Sequence, residues 1–256
     1  MRHVAVPETK ISFIVGMAFC SVGGVVATYI ETGCSGVKEL ARRCIHYNVS
    51  ALWRFYALFL SVAVFAVAEI IYGAAHGKVG PITPMVLFRQ WWSIFIFIFG
   101  LFQGPLGEEL GWRGFLLPRL LEKCSPLKAS VILGLVWSVW HMPAGMLIGG
   151  SYYFHTVAGT LLFTASTIAL SILMTVLFLH TRRSVLLAIA MHWSVMPGKY
   201  IVGSLFPTSQ EPPDWLRAVV LVTLAITVVA VLGKKLSAPR KSEQIQLRTI
   251  HSEEQK

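Results

Sequence analysis

The stretch Gly107-Glu108-Glu109-Leu110-Gly111-Trp112-Arg113 decides how the chain is read. Two adjacent carboxylates and an arginine stand between apolar runs of membrane-spanning length. Charge at such depth is costly and, as a rule, functional. The preceding Gly104-Pro105-Leu106-Gly107 breaks the chain, so the spacing predicts a helix over Glu108–Lys123. Both glutamates then lie in its first turn, where the helix dipole favours anions. Glu109 precedes Arg113 by four residues, the favourable order for an ion pair. Glu108 is rotated about 100° from that pair on a 3.6-residue helix. It has Trp112 at i+4 as a ring neighbour and Gly111 at i+3 as space for water or a peptide backbone. Spacing alone therefore nominates Glu108 as a proton acceptor and Glu109 with Arg113 as its support.

Around this stretch the chain is 55% hydrophobic and 13% charged over 256 residues, about half the charge of a soluble domain. The apolar residues come in seven blocks: Ile11–Ile30, Phe55–Tyr72, Pro84–Gln103, Leu127–Ile148, Thr156–His180, Val185–Phe206 and Trp215–Gly233. The fold class expected is all-α, a polytopic transmembrane bundle of about seven spans with the site inside it. One domain is expected over 1–236, with a motif core at 102–196 and a flexible polar cytoplasmic tail at 237–256. The first block is read as a retained span rather than a signal peptide, being long for one and lacking a small-residue cleavage site.

The net charge of +10 raises nucleic acid as a partner. The positions argue against it, because basic residues fall in alternate loops. Lys38, Arg42, Arg43 and Arg54 follow the first block; Arg113, Arg119, Lys123 and Lys128 the third; Arg182 and Arg183 the fifth; Lys234, Lys235, Arg240, Lys241 and Arg248 the last. This alternation places the C-terminus in the cytoplasm and the N-terminus outside, in a plasma-membrane protein whose partners are the bilayer and a peptide or protein tail. Cys20, Cys34, Cys44 and Cys124 have no metal-type spacing and read as free thiols. Glu69 and Arg89 sit at matched depth and read as a structural pair.

Two histidines extend the polar set. His141 lies in Trp137-Ser138-Val139-Trp140-His141-Met142-Pro143, and His192 in Met191-His192-Trp193-Ser194-Val195-Met196-Pro197. Each has a proline nearby that frees a carbonyl and bends the helix. One glutamate and two histidines can activate water directly or bind a divalent metal such as zinc; Glu108, His141 and His192 are the candidate ligands in the second case. Other intramembrane chemistries fit less well. There is no His-Glu-x-x-His, and Asp214 is the single aspartate. Gly33-Cys34-Ser35-Gly36 has rhomboid-type letters but falls in an expected loop. No internal repeat supports a transporter.

Glu108, Glu109 and Arg113, then Trp137-x-x-x-His141, then His192 in a late span resemble the CPBP intramembrane proteases. That family includes the type II CAAX-processing endopeptidases and bacterial abortive-infection or bacteriocin-immunity proteins, and the stretch from Gly104 to Pro143 is most similar to its bacterial branch. The resemblance covers Phe102 to Met196. It implies a helical bundle with its catalytic cluster open to the cytoplasm. Glu108 would activate water with help from His141, and His192 would orient water or stabilise the tetrahedral intermediate, with no acyl-enzyme. It leaves metal-dependent and metal-free mechanisms both open. Two positions depart from the family pattern. Trp137 stands where phenylalanine is usual, a change read as conservative. Met196 stands where an asparagine is thought to donate to the oxyanion, with Trp193, Ser194 or Lys199 as candidate substitutes. Met196 also motivates a non-catalytic reading, an immunity or scaffold protein binding a peptide or membrane partner.

Overall fold

The computed structural model describes residues 7–76, 97–98, 100–102, 104–147, 152–206, 211–233 and 236, with side chains from residue 19 except 144–147, 152 and 153. These residues are helical, with no strand among them. In chain order they form α1 (Pro7–Ile45), α2 (Ala51–Ala75), α3 (Pro105–Glu109), a π-helical segment (Leu110–Leu116), α4 (Leu117–Lys123), α5 (Pro126–Leu147), a 3₁₀ turn (Tyr152–His155), α6 (Val157–His180), α7 (Val185–Leu205) and α8 (Asp214–Leu232). Among the described residues four helices are long and apolar enough to cross a membrane: α2, α6, α7 and α8. Most of the third expected block (84–96, 99 and 103), Arg89 with its expected pairing to Glu69, and the tail at 237–256 lie outside the described residues.

The first block differs from expectation. The helix does not stop at Ile30 but runs to Ile45, and its 39 residues would be nearly 60 Å long if straight. Gly33 breaks it, with φ 64° and ψ −157°, a conformation that suits a residue without Cβ. The Gly33–Gly36 tetrad is therefore a helix kink, and Lys38, Arg42 and Arg43 stand on helix rather than in a loop. Arg43 turns inward, and its Nη2 donates to the Gly114 carbonyl at 2.9 Å.

Helix α2 lies along α7, α5 along α6, and α6 along α8, while α1 covers α3 and the π segment. Small residues permit the closest approaches. A Cβ on Gly24 of α1 would fall 2.7 Å from Gly111 Cα, and one on Gly134 of α5 would fall 2.5 Å from Ile168 Cα. Polar pairs fix the register of α5 on α6: Ser138 Oγ meets Thr164 Oγ1 at 2.7 Å, and Thr167 Oγ1 donates to the Gly134 carbonyl at 3.2 Å. Ser184 closes one end of the bundle. Its hydroxyl caps α7 by accepting from Leu187 N–H and donates to the His46 carbonyl at 2.6 Å. That joins the α6–α7 turn to the α1–α2 link. Leu133, Leu173, Met174, Leu177, Phe178, Val185, Ala188 and Met191 are fully buried.

Candidate active site

The helical run that carries the glutamates starts at Pro105, three residues before the predicted start. Proline suits this first position, where no N–H is needed. From Leu110 to Leu116 the winding widens to π geometry, with Leu117 N–H bonded to the Trp112 carbonyl five residues back. Part of the cause is legible. Pro118 has no N–H, so the Gly114 carbonyl loses its α-helical donor, and Arg43 of α1 supplies one instead. Cys20 Sγ and Ser21 Oγ of α1 donate to the carbonyls of Glu108 and Leu106, at 3.5 and 2.8 Å. The glutamates are thus held from the backbone side.

Glu109 and Arg113 pair as the spacing predicts. Arg113 Nη1 donates to both carboxylate oxygens, at 2.8 and 3.1 Å, and both side chains are fully buried. Arg113 therefore does not belong among the loop charges. Its Nε and Nη2 make no protein hydrogen bond. The guanidinium instead lies 4.7 Å from the centre of the Trp137 ring, a cation–π contact. His192 Nδ1 donates to Glu109 Oε1 at 2.9 Å.

Glu108, 1% exposed, has a different environment from the one expected. Trp112 offers it a polar edge rather than an apolar ring. The indole N–H groups of Trp112 and Trp137 both donate to Oε2, at 3.1 and 2.7 Å. This corrects the reading of Trp137 as a conservative change, since a phenylalanine has no N–H to give. The sequence held one signal for this role: Trp112 is four residues from Glu108, and Trp137 four from His141. Trp137 touches four members of the set, Glu109 excepted. Besides Glu108 and Arg113, its ring meets His192 edge-on at 5.0 Å, and its carbonyl accepts from His141 Nδ1 at 2.9 Å.

These bonds set the histidine tautomers. A carbonyl only accepts, so His141 carries a proton on Nδ1, and in the neutral ring Nε2 is a bare acceptor. That Nε2 lies 3.8 Å from Glu108 Oε1, the oxygen that the tryptophans leave free. The same logic makes Nε2 of neutral His192 an acceptor. A Cβ on Gly104 would meet Glu108 Oε1 at 3.4 Å and His192 Nε2 at 3.6 Å, so the missing side chain is what keeps this space open.

Glu108, His141, His192 and Trp137 line one cavity of about 1070 Å³. Its walls come from the second half of α2 and α7 and the first half of α6 and α8, including Leu60, Val64, Phe163, Leu170 and Leu221. At its far rim stand Lys199, Glu211, Asp214 and Arg217. The candidate oxyanion donors are committed elsewhere. Trp193 Nε1 donates to the Phe97 carbonyl at 2.7 Å; Ser194 Oγ bonds Ser61 Oγ and the Met191 carbonyl; Lys199 Nζ faces Glu211 at 3.5 Å. Met196 lines the cavity and packs on Gly100, whose Cβ would fall 2.9 Å from its sulfur. The three candidate ligands share the cavity without forming a ligand set. Among the described residues no group of three or more His, Cys, Asp or Glu is placed to hold a metal ion.

Fold and site together describe an all-helical membrane protein with a buried glutamate–histidine centre. Residues 89–196 match the family described as type II CAAX prenyl endopeptidase Rce1-like. Over 92 residues the chain is 35% identical to "CAAX prenyl protease 2" of Methanococcus maripaludis, an alignment spanning 34% of this chain and 34% of that relative. Residues 89–196 hold both glutamates, Arg113, Trp137, both histidines and Met196. The chain thus matches about a third of the length of that curated relative.

Proposed function

We propose that the protein is an intramembrane endopeptidase that cuts peptide tails, of CAAX type where the host prenylates proteins, with water activated by Glu108 and His141. The observation that carries this reading is the pair of acceptors facing each other across 3.8 Å, Glu108 Oε1 and His141 Nε2. Two acceptors gain nothing from each other, but one water fits both, donating a hydrogen to each. Its oxygen lone pairs then face the cavity. As this oxygen attacks the peptide carbonyl, Glu108 takes its proton and the C=O electrons move to oxygen. Collapse of the tetrahedral intermediate breaks the C–N bond, and Glu108 returns the proton to the leaving amine. In its protonated form His192 presents Nε2–H to the cavity, a donor for the oxyanion where Met196 offers none.

Among the described residues no three-residue ligand set forms, and one Glu108 oxygen is taken up by two indoles, which favours a metal-free route. The test uses protein purified in detergent and quenched peptides with and without a prenyl group. Wild type is expected to cleave, chelator to leave the rate unchanged, and Glu108→Gln to lower it at least 10²-fold. Equal cleavage by wild type and Glu108→Gln would sink the assignment.

A second reading, a non-catalytic immunity or scaffold protein binding a peptide in the same cavity, is favoured by Met196. Binding without cleavage of every peptide offered would support it.

A further inference from the structure

We infer that Arg43, Arg119 and Arg183 form a binding site for a phosphate group at the end of the bundle that Ser184 closes. The site is separate from the cavity and does not rest on the peptidase reading.

Three elements bring the arginines together. Arg43 stands in the last turn of α1, Arg119 in α4 and Arg183 in the turn between α6 and α7. Ser184 fixes that turn to the His46 carbonyl, and Arg43 is fixed by its bond to the Gly114 carbonyl. The like charges of Arg119 and Arg183 both act on Arg43, and the acidic group that acts on it is Glu39. That carboxylate is already engaged, since Arg42 donates to both its oxygens, at 2.8 and 3.0 Å. Glu31 is engaged in the same way, accepting from Arg119 Nε at 2.8 Å. Within this group four guanidinium ions meet two carboxylates. Such an excess of fixed positive charge is relieved by an anion.

Arg43 itself supplies a second observation. Its Nη2 is committed to Gly114, but its Nε is buried and has no hydrogen-bond partner. An unsatisfied buried donor is costly, and more so on a charged group. One negatively charged oxygen acceptor would answer both the missing bond and the excess charge. The backbone of the turn agrees. Arg182 and Arg183 have φ of 53° and 61°, in the left-handed region where glycine or asparagine sits more easily. Arginine kept there against local preference fits a side chain needed for its charge. Guanidinium forks match phosphate oxygens in pairs. The turn joins α6 and α7, both long and apolar enough to cross a membrane, so the arginines stand at the depth of phospholipid headgroups. The phosphate is therefore that of an anionic lipid or a free phosphate ion. Bound there, it shields Arg43 and secures the bond that holds Gly114 in the π segment, next to Arg113 of the glutamate site.

Thermal melting reads the site without any turnover. Full-length protein in neutral detergent is titrated with phosphatidylglycerol, with phosphatidylcholine and with inorganic phosphate, all at one ionic strength. Wild type is expected to show a saturable rise in Tm with phosphatidylglycerol or inorganic phosphate and none with phosphatidylcholine. A rise with phosphatidylglycerol alone assigns the site to a lipid headgroup, and a rise with inorganic phosphate admits the free ion. Arg183→Asn removes the charge and suits the left-handed backbone, so the fold is kept while apparent affinity falls about tenfold or more. Arg182→Asn makes the same change one residue away, at a side chain whose charge is not among those acting on Arg43, and should keep wild-type affinity. Arg43→Gln retains a donor for the Gly114 carbonyl and should weaken binding as Arg183→Asn does. The inference is overturned by no saturable shift with either anion, by an equal shift with phosphatidylcholine, or by equal affinities in Arg182→Asn and Arg183→Asn.

Discussion

The indole N–H of Trp137 donates to Oε2 of Glu108 across 2.7 Å, and so decides which oxygen of that carboxylate is left for chemistry. A hydrogen bond to a charged group contributes roughly 1.5–3 kcal/mol. Trp137→Phe keeps most of the ring and loses the donor. It is expected to lower kcat about 10- to 100-fold with KM little changed, while thermal stability falls only modestly. A variant with unchanged kcat would show that Trp112 alone holds the carboxylate.

His141 and His192 should separate by role. In the proposed mechanism His141 shares the attacking water with Glu108, so His141→Ala is expected to cost about 10²-fold or more in kcat. His192 also anchors Glu109, so His192→Ala should lose thermal stability as well as rate. Paired melting curves and single-turnover rates check the difference; identical profiles would merge the two roles.

The buried pair Glu109–Arg113 is structural. Removing one partner leaves a charge without water or counter-ion, which costs about 3–5 kcal/mol. Arg113→Ala and Glu109→Ala should therefore reduce folded yield and lower Tm well below the values for Glu108→Ala. Equal melting of all three would undo this division.

Gly24 and Gly111 set how closely α1 meets the π segment. A side chain on Gly24 would press into the Gly111 backbone from 2.7 Å. Gly24→Val is expected to lower both Tm and kcat, because it pushes away the helix whose Cys20 and Ser21 bond the backbone of the glutamate turn. Gly23→Val is the control, since nothing lies within 4 Å of a Cβ there.

Position 196 tests what limits the rate. With no amide there, the proposed mechanism leaves oxyanion stabilisation to His192. Met196→Asn is expected to raise kcat at least tenfold, up to the roughly 10²–10³ that one oxyanion donor is worth. No gain in rate would favour the binding protein over the peptidase.

Local spacing settled much of this protein before any tertiary contact. Four residues between Glu109 and Arg113 define an ion pair on one helix face, and the pair is there. Long apolar blocks at α2, α6, α7 and α8 define membrane helices, because backbone in lipid must satisfy its own hydrogen bonds. His141 and His192 were nominated by polarity in apolar surroundings, and both reach the cavity. What needed the fold were directions and partners from distant elements. Pro118 was visible, but that Arg43 would cross from α1 to replace its missing donor was not. Trp112 and Trp137 were visible as rings, yet only packing decided that their N–H edges, not their faces, meet Glu108. The same limit applies to the cavity: its walls come from α2, α6, α7 and α8 together, and no single segment encodes a volume that four helices enclose.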